Sequence, residues 1–152
     1  MLRRHFAAGL GVAMAVAVAC PSPLALAQTG AKAAAFELYM EEIYERQTGG
    51  EVGMKIAFRD PLTRQVNPPL QVHEGDAVTI KLVNRTRETR SFAVMGVAGT
   101  KSAPIKAGGT ATLRFVAPPT GGYIYHDPLQ AKLGEARSLF GDFVVTPQPK
   151  RD

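Results

Sequence analysis

Two histidines and an adjoining carboxylate are the side chains of this sequence best suited to metal chemistry. His126 is followed directly by Asp127, so an imidazole and a carboxylate lie side by side late in the chain. His73 precedes Glu-Gly-Asp in a segment typical of a tight turn. We therefore predict one candidate metal site, made of His126 and Asp127 with His73 as a further ligand. Two alternatives stay open: His126 donates a hydrogen bond to Asp127 as a fixed polar group, and His73 is a surface residue.

The motifs of the common nucleophilic and phosphate-binding enzymes are missing from the sequence. There is no Gly-x-Ser-x-Gly segment, and the Ala-Gly-Gly-Thr run at 107–110 lacks the lysine of a phosphate-binding loop. The single Cys, Cys20, excludes a disulfide-stapled scaffold and a zinc site built on several thiolates. These absences favour a binding protein over an enzyme.

The first 27 residues have the pattern of a signal peptide. Arg3 and Arg4 precede an apolar run at 6–19, and Ala-Leu-Ala at 25–27 suits a signal peptidase. The run of about 14 residues is shorter than the ~20 that a membrane-spanning helix needs. We expect a periplasmic or secreted protein without a membrane span. A membrane anchor and a lipidated Cys20 are the alternatives.

The charge of the chain does not indicate a nucleic-acid partner. The net charge of the 152 residues is +5, and removal of Arg3 and Arg4 leaves 16 basic against 13 acidic residues, or +3. The densest basic cluster, Arg85, Arg87 and Arg90, shares its loop with an acidic residue, and we interpret it as a solvated loop. Because the basic residues are otherwise spread out, no nucleic-acid surface is expected.

Alternating apolar residues predict a fold made almost entirely of β-strands. Val78, Ile80 and Leu82 alternate in one of about seven short segments, spaced 8–12 residues apart with turn residues between them. This pattern is typical of a Greek-key β-sandwich or barrel. We place a flexible N-terminus at 28–35, the domain at 36–146 and a polar tail at 147–152. The segment 36–44 fits a strand or a helix, and three methionines are interpreted as core residues: Met40, Met54 and Met95.

Six segments, in order, resemble the first domain of multicopper oxidases and copper nitrite reductases, which is a cupredoxin domain. They lie at 36–42, 69–78, 82–86, 107–115, 121–126 and 139–145, and include Gly-Asp-Ala-Val, Asn-Arg-Thr and Gly-Gly-Tyr-Ile-Tyr-His. The likeness covers about residues 36–146 and implies a strand for 36–44. It also implies copper as the cofactor to consider.

The same resemblance implies where a blue copper centre would lie. Such a centre uses two imidazoles, a thiolate and a weak thioether ligand. The family's first His corresponds to Arg90, the Cys to Asp127, the second His to Ala131 or Lys132, and the Met to Leu139 or Phe140. These side chains cannot supply that ligand set, so we predict a cupredoxin-like domain that has lost its blue copper site.

His126 corresponds to a histidine that helps to hold the catalytic copper cluster in multicopper oxidases. The family's companion histidine two residues later is Pro128 here, and its His-x-His pair after the Asn-x-Thr loop is absent. Three functions remain open. They are an accessory module with a protein partner in a copper or redox context, a copper-dependent electron-transfer or oxidase protein with an unconventional site at His126, and a metal-free partner-binding sandwich. A homo-oligomer would be needed to supply shared ligands.

Overall fold

The computed structural model describes residues 31–46, 48–132 and 139–150, which form two four-stranded sheets. The predicted signal peptide, with Cys20, lies outside the described residues. The elements are β1 (Ala33–Arg46), β2 (Val52–Arg59), β3 (Leu70–His73), β4 (Ala77–Asn84), β5 (Ala93–Val94), β6 (Thr110–Val116), β7 (Gly121–His126), α1 (Pro128–Lys132) and β8 (Phe140–Thr146). The first sheet has the order β2-β1-β4-β6 and the second β3-β8-β7-β5. The predicted all-β sandwich is confirmed.

Strand β4 shows why the alternating pattern predicted the fold. Val78, Ile80 and Leu82 are buried, while the residues between them are exposed or half-buried. Successive side chains of a strand point to opposite faces, so one face of β4 lies against the second sheet. Phe115 of β6 pairs with Val78, and its ring lies 5.8 Å from that of Phe143 in the second sheet. The core therefore lies between the two sheets.

Strand β1 pairs with two neighbours in succession. Residues 33–40 run parallel to β4, and residues 39–46 run antiparallel to β2. The strand begins at Ala33, three residues before the predicted start of the domain, because Ala33 and the next two residues pair with the start of β4. The segment 36–44 is a strand, as the resemblance implied, and not a helix.

Only one of the three methionines that we predicted in the core is buried. Met40 is fully buried, but Met54 and Met95 are 54% and 56% exposed. Met54 lies opposite Tyr44, beyond the part of β1 that pairs with β4, on a two-stranded ribbon. Alternation alone could not show that the β1–β2 ribbon extends past the sandwich or that Met95 lies in the turn after β5, so the core prediction was wrong for both residues.

Two short elements were missed by the sequence pattern. Strand β3 has only four residues, between a proline-rich connection and the turn at 74–75, and it is held by parallel pairing with β8. Helix α1 has five residues. In the part of the chain that the structure describes, no helix is long and apolar enough to cross a membrane.

An aromatic cluster lies in the core near the end of β7, which is an inner strand of the second sheet. The ring of Tyr125 is stacked on Phe92 at 5.6 Å and meets Phe58 edge-on at 5.1 Å. Its hydroxyl donates a hydrogen bond of 2.7 Å to the carbonyl oxygen of Pro68. Burial, with a smaller contribution from the charge of Asp142, raises the pKa of Tyr125. This cluster fixes the strand that ends at His126.

Candidate functional site

Arg90 is the largest fully buried side chain among the described residues, and not part of a solvated loop as we predicted. Its side chain is 1% exposed, whereas Arg87 in the same loop is 90% exposed. The guanidinium Nη2 lies 2.7 Å from Oε2 of Glu88, and Nη1 lies 3.7 Å from Oδ2 of Asp127. The backbone of Arg90 is anchored by two hydrogen bonds with Ile105, of 2.9 and 2.7 Å. Arg90, the last arginine of this loop, therefore points into the protein interior.

Asn84 organises this loop after β4. Its amide nitrogen donates to the carbonyl oxygens of Glu88 and Ile105 at 2.7 and 2.8 Å. Its Oδ1 accepts hydrogen bonds from the backbone nitrogen and the hydroxyl of Thr86 at 3.0 and 2.8 Å. The Asn-x-Thr segment is thus a loop-building motif, because one buried amide satisfies backbone groups from two segments.

The carboxylate of Asp127 accepts hydrogen bonds from residues on both of its neighbouring segments. Its Oδ1 accepts hydrogen bonds from the Ser91 backbone nitrogen at 3.1 Å, the Ser91 hydroxyl at 2.7 Å and the Leu129 backbone nitrogen at 2.9 Å. The last of these caps the first turn of α1. Oδ2 faces Arg90 and accepts no hydrogen bond. Asp127 therefore accepts none from His126, and the predicted fixed imidazole–carboxylate pair is not formed.

His126 lies on the outer face of the second sheet. Tyr125 points into the core, so the residues on either side of it, Ile124 and His126, point outward. His126 is directly opposite Ala93 of β5 and Phe140 of β8. Its Nδ1 is buried and has no hydrogen-bond partner. The Nδ1 atom of this imidazole therefore has no hydrogen-bond partner, and the residues opposite His126 are apolar.

His73 lies at the opposite end of the second sheet from His126. It pairs with Thr146 at the end of β8, whereas His126 pairs with Phe140 at the start of β8. Six residues of strand separate these positions by about 20 Å. One metal ion cannot reach both, so the structure does not bring together the three ligands that we predicted. Among the described residues, no group of three or more His, Cys, Asp or Glu could hold a metal ion.

His73 instead belongs to a hydrogen-bonded cluster around Asp76. Its Nδ1 lies 3.5 Å from Oδ2 of Asp76, and its backbone nitrogen donates to the same oxygen at 2.9 Å. Asp76 also accepts hydrogen bonds from the Lys32 backbone at 2.9 Å and the Gln148 amide at 3.0 Å. Burial acts to raise the pKa of Asp76, but these hydrogen bonds and the His73 charge together lower it. Asp76, with the half-exposed His73 beside it, thus links Lys32 and Gln148 near the two ends of the domain.

Two packed sheets with this strand order define a cupredoxin-like β-sandwich. The chain belongs to the multicopper oxidase family, because the sequence model described as multicopper oxidase matches residues 63–150. The blue copper oxidase from Nitrosomonas europaea superposes with a TM-score of 0.67 at 24% identity, over 79% of this chain and 41% of that one. The multicopper oxidase mgLAC gives 0.65 at 25% identity, over 79% and 40%.

A multicopper oxidase from Campylobacter jejuni, described as a metallo-oxidase, gives a TM-score of 0.65 at 23% identity, over 77% of this chain and 26% of that one. Comparison with curated protein sequences gives no match. The chain spans less than half the length of each of these solved structures. The domain is therefore equivalent to a part of each of those oxidases.

Proposed function

We propose that this chain is an exported, non-enzymatic cupredoxin-like domain that acts as a binding or accessory module in a copper or redox context. In this proposal it is periplasmic or secreted, it lacks a blue copper centre, and it works through a protein partner or a second copy of itself. The family supplies the copper context. The single observation that carries the proposal is the buried contact between Arg90 and Asp127.

That contact occupies the two positions that the resemblance aligned with a histidine and the cysteine ligand. A guanidinium is always charged and has no lone pair to offer a metal, and Asp127 is already bound by three donors. Leu139, at a position aligned with the methionine, is buried and apolar. These side chains do not fit a blue copper centre, which needs a thiolate to carry the electron.

Copper titration followed by optical spectroscopy tests this proposal. Cu(II) is added to the purified protein, and the visible spectrum and oxygen uptake with a reducing substrate are recorded. We expect neither the intense absorption of a copper–thiolate bond nor copper-dependent oxygen uptake. Either signal at one copper per chain would overturn the proposal. Fractionation of the native host tests export, and light scattering tests whether the chain forms an oligomer.

An unconventional copper oxidase or electron-transfer site at His126 is the second candidate, and the unpartnered Nδ1 of His126 favours it. Titration calorimetry with Cu(II) on the wild type and His126→Ala tests this candidate. Loss of Cu(II) uptake in the variant supports it, and unchanged uptake contradicts it.

A metal-free partner-binding sandwich is the third candidate. The exposed apolar side chains of the β1–β2 ribbon, Tyr44, Val52 and Met54, are consistent with a partner surface. Metal analysis of protein isolated from its native compartment discriminates this candidate from the copper site at His126, because a metal-free sandwich requires that no metal co-purifies.

A further inference from the structure

We propose that the free edge of β2 pairs with the same edge of a second copy of this chain, in an antiparallel register centred on Met54. This pairing joins the first sheets of the two copies into one continuous sheet across a twofold axis. The inference rests on the proposed function, because it names a second copy as the partner of the β1–β2 ribbon.

The β1–β2 ribbon consists of residues 41–46 and 52–57, which lie beyond the part of β1 that pairs with β4. β2 is the outermost strand of its sheet, and no strand of the described chain pairs with residues 52–57 on the side away from β1. A two-stranded ribbon is only marginally stable in water, and an unpaired strand edge is a template for another strand. A further strand at this edge would therefore stabilise the ribbon.

The backbone orientation of β2 follows from the hydrogen bonds at its end. The nitrogen of Phe58 donates to the side-chain oxygen of Asn67 at 3.0 Å, and its carbonyl oxygen accepts from the Asn67 nitrogen at 2.7 Å. Met40, which lies opposite Phe58, uses its carbonyl oxygen for Arg85. Phe58 and Met40 are thus not bonded to each other. Because bonded and non-bonded pairs alternate in an antiparallel ladder, three further residues also direct their backbone groups to the free edge: Val52, Met54 and Ile56.

These three positions match the same edge of a second copy. An antiparallel pairing centred on Met54 sets Met54 opposite Met54 and Val52 opposite Ile56, and each of these residues presents its backbone groups to the other chain. A register centred on Lys55 would set two like charges opposite each other and would bring Val52 to Phe58, whose edge Asn67 already occupies. Only the register centred on Met54 pairs all three free positions.

The side chains of this edge suit burial between two copies. Met54 lies opposite Tyr44 within the ribbon, and the side chains of Tyr44, Val52 and Met54 are 67%, 63% and 54% exposed. In the proposed register, Met54 of one copy meets Met54 of the other. The tyrosines and methionines of the two ribbons then form one continuous row across four strands, and burial of their apolar surface stabilises the contact.

The charges on the opposite face of the ribbon are complementary. Glu51, which is exposed one residue before β2, falls opposite Ala57 of the second copy and diagonal to its Lys55. Diagonal positions are about 7–8 Å apart at the backbone, within the reach of long side chains. Lys55 already pairs with Glu45 of its own chain at 2.6 Å, so Glu51 of the second copy extends this pair into a network. The twofold axis repeats the contact, which gives two Glu51–Lys55 pairs per dimer.

Sedimentation equilibrium over a concentration series tests the dimer, with a reductant present so that Cys20 cannot link two chains. We expect a reversible equilibrium between one chain and two, because an interface of this size is small. A mass of one chain at every concentration up to about 1 mM would overturn the proposal, since any association would then have a Kd above that value. A mass of three chains would also overturn it, because a self-complementary edge closes at two copies.

Met54→Lys should weaken self-association by at least about 10-fold, because the dimer loses two buried side chains and sets two ammonium groups opposite each other. The matched control is Met95→Lys, since Met95 is 56% exposed and lies in the turn after β5 of the other sheet. This control should dimerise like the parent. Equal weakening of the two variants, or unchanged association of Met54→Lys, would contradict the proposed interface.

Exchanged charges test whether the partner is a second copy. Glu51→Lys alone brings positive charges together and Lys55→Glu alone brings negative charges together, so each variant should self-associate about 3-fold or more weakly than the parent. A mixture of the two variants restores opposite charges at both symmetric contacts. Mixed dimers, counted by native mass spectrometry, should therefore exceed either self-dimer. A mixture that associates no better than its components would overturn the proposal.

Amide hydrogen exchange of the unsubstituted protein keeps the proposal testable if a variant fails to fold. The backbone nitrogens of Met54 and Ile56 should exchange more slowly at high than at low protein concentration. Those of Thr112 and Arg114 are the control: they face the free edge of β6, since Ala117 of the alternate set donates to Asp76. Their exchange should not depend on concentration.

Exchange at Met54 and Ile56 that is independent of concentration would overturn the dimer. A monomeric protein refutes this inference alone, whereas a copper–thiolate spectrum refutes the proposed function. The two failures are therefore distinguishable.

Discussion

The guanidinium of Arg90 and the carboxylate of Asp127 lie 3.7 Å apart, with side chains that are 1% and 0% exposed. The contact joins the loop after β4 to the start of α1. Glu88, the second partner of Arg90, has a side chain that is 60% exposed. Asp127 is therefore the only fully buried counter-charge among the described partners of Arg90, and the pair acts as a structural element of the site region.

Asp127→Ala should strongly destabilise the fold. The change leaves Arg90 buried without this counter-charge and removes the hydrogen bonds to Ser91 and Leu129. Removing one partner of a buried ion pair costs about 3–5 kcal/mol. The free energy of unfolding from denaturant titration measures the loss.

Glu45→Gln is the control for this ion pair, because Glu45 and Lys55 form a solvent-exposed pair at 2.6 Å. An exposed pair contributes about 0–1 kcal/mol. If Asp127→Ala costs no more than Glu45→Gln, the buried pair does not stabilise the loop.

Gly141→Ala should also destabilise the protein. Gly141 pairs with Tyr125, and a Cβ at this position would overlap the hydroxyl and the ring of Tyr125. The ring is held by the core and by its hydrogen bond to Pro68, so it cannot move aside without cost. Overpacking of a core typically costs about 1–3 kcal/mol. Thermal unfolding of the variant measures the effect.

Gly122→Ala is the matched control, since it lies in the same sheet and a Cβ there meets no atom within 4 Å. Its stability should change by no more than about 0.5 kcal/mol. Equal unfolding temperatures for the two variants would show that Tyr125 moves aside easily.

Tyr125 should make the protein lose stability in alkali. Its folded-state pKa is raised by burial, so its contribution is complete below the unfolded pKa of about 10 and is lost as the pH rises through the folded value. Tyr125→Phe should be less stable at neutral pH by about 1 kcal/mol, because the hydrogen bond to Pro68 is lost. It should also lose less stability above about pH 10. Parallel pH profiles of the two proteins would contradict this prediction.

Asp76 should make the protein lose stability in acid. Its folded-state pKa lies below the ordinary value, so its contribution is complete above about pH 4 and is lost as the pH falls through the folded value. Asp76→Asn should be less stable than the wild type at neutral pH, and the difference should shrink in acid. Unfolding temperatures from pH 7 to pH 2 measure this. A constant difference over that range would exclude the assigned role.

The sequence by itself determined the class of fold and its family. The alternation of Val78, Ile80 and Leu82 is a local property, because the period of a strand decides which side chains share a face. The Asn-Arg-Thr segment was recognisable for a similar reason: Asn84 and Thr86 bond to each other within one loop. The Gly-Gly-Tyr-Ile-Tyr-His segment coincides with a whole strand, β7.

Only the tertiary structure decided which distant residues meet. Arg90 looked like part of a solvated basic loop, and its burial depends on contact with Asp127 from another segment. Met95 looked like a core residue, and its place in the exposed turn after β5, opposite Ile124, depends on the register between β5 and β7. His73 and His126 looked like ligands of one metal, and the pairing of β3 and β7 with opposite ends of β8 separates them. The local sequence pattern determines which face of a strand a side chain lies on. The pairing of the strands determines which other residues that side chain contacts.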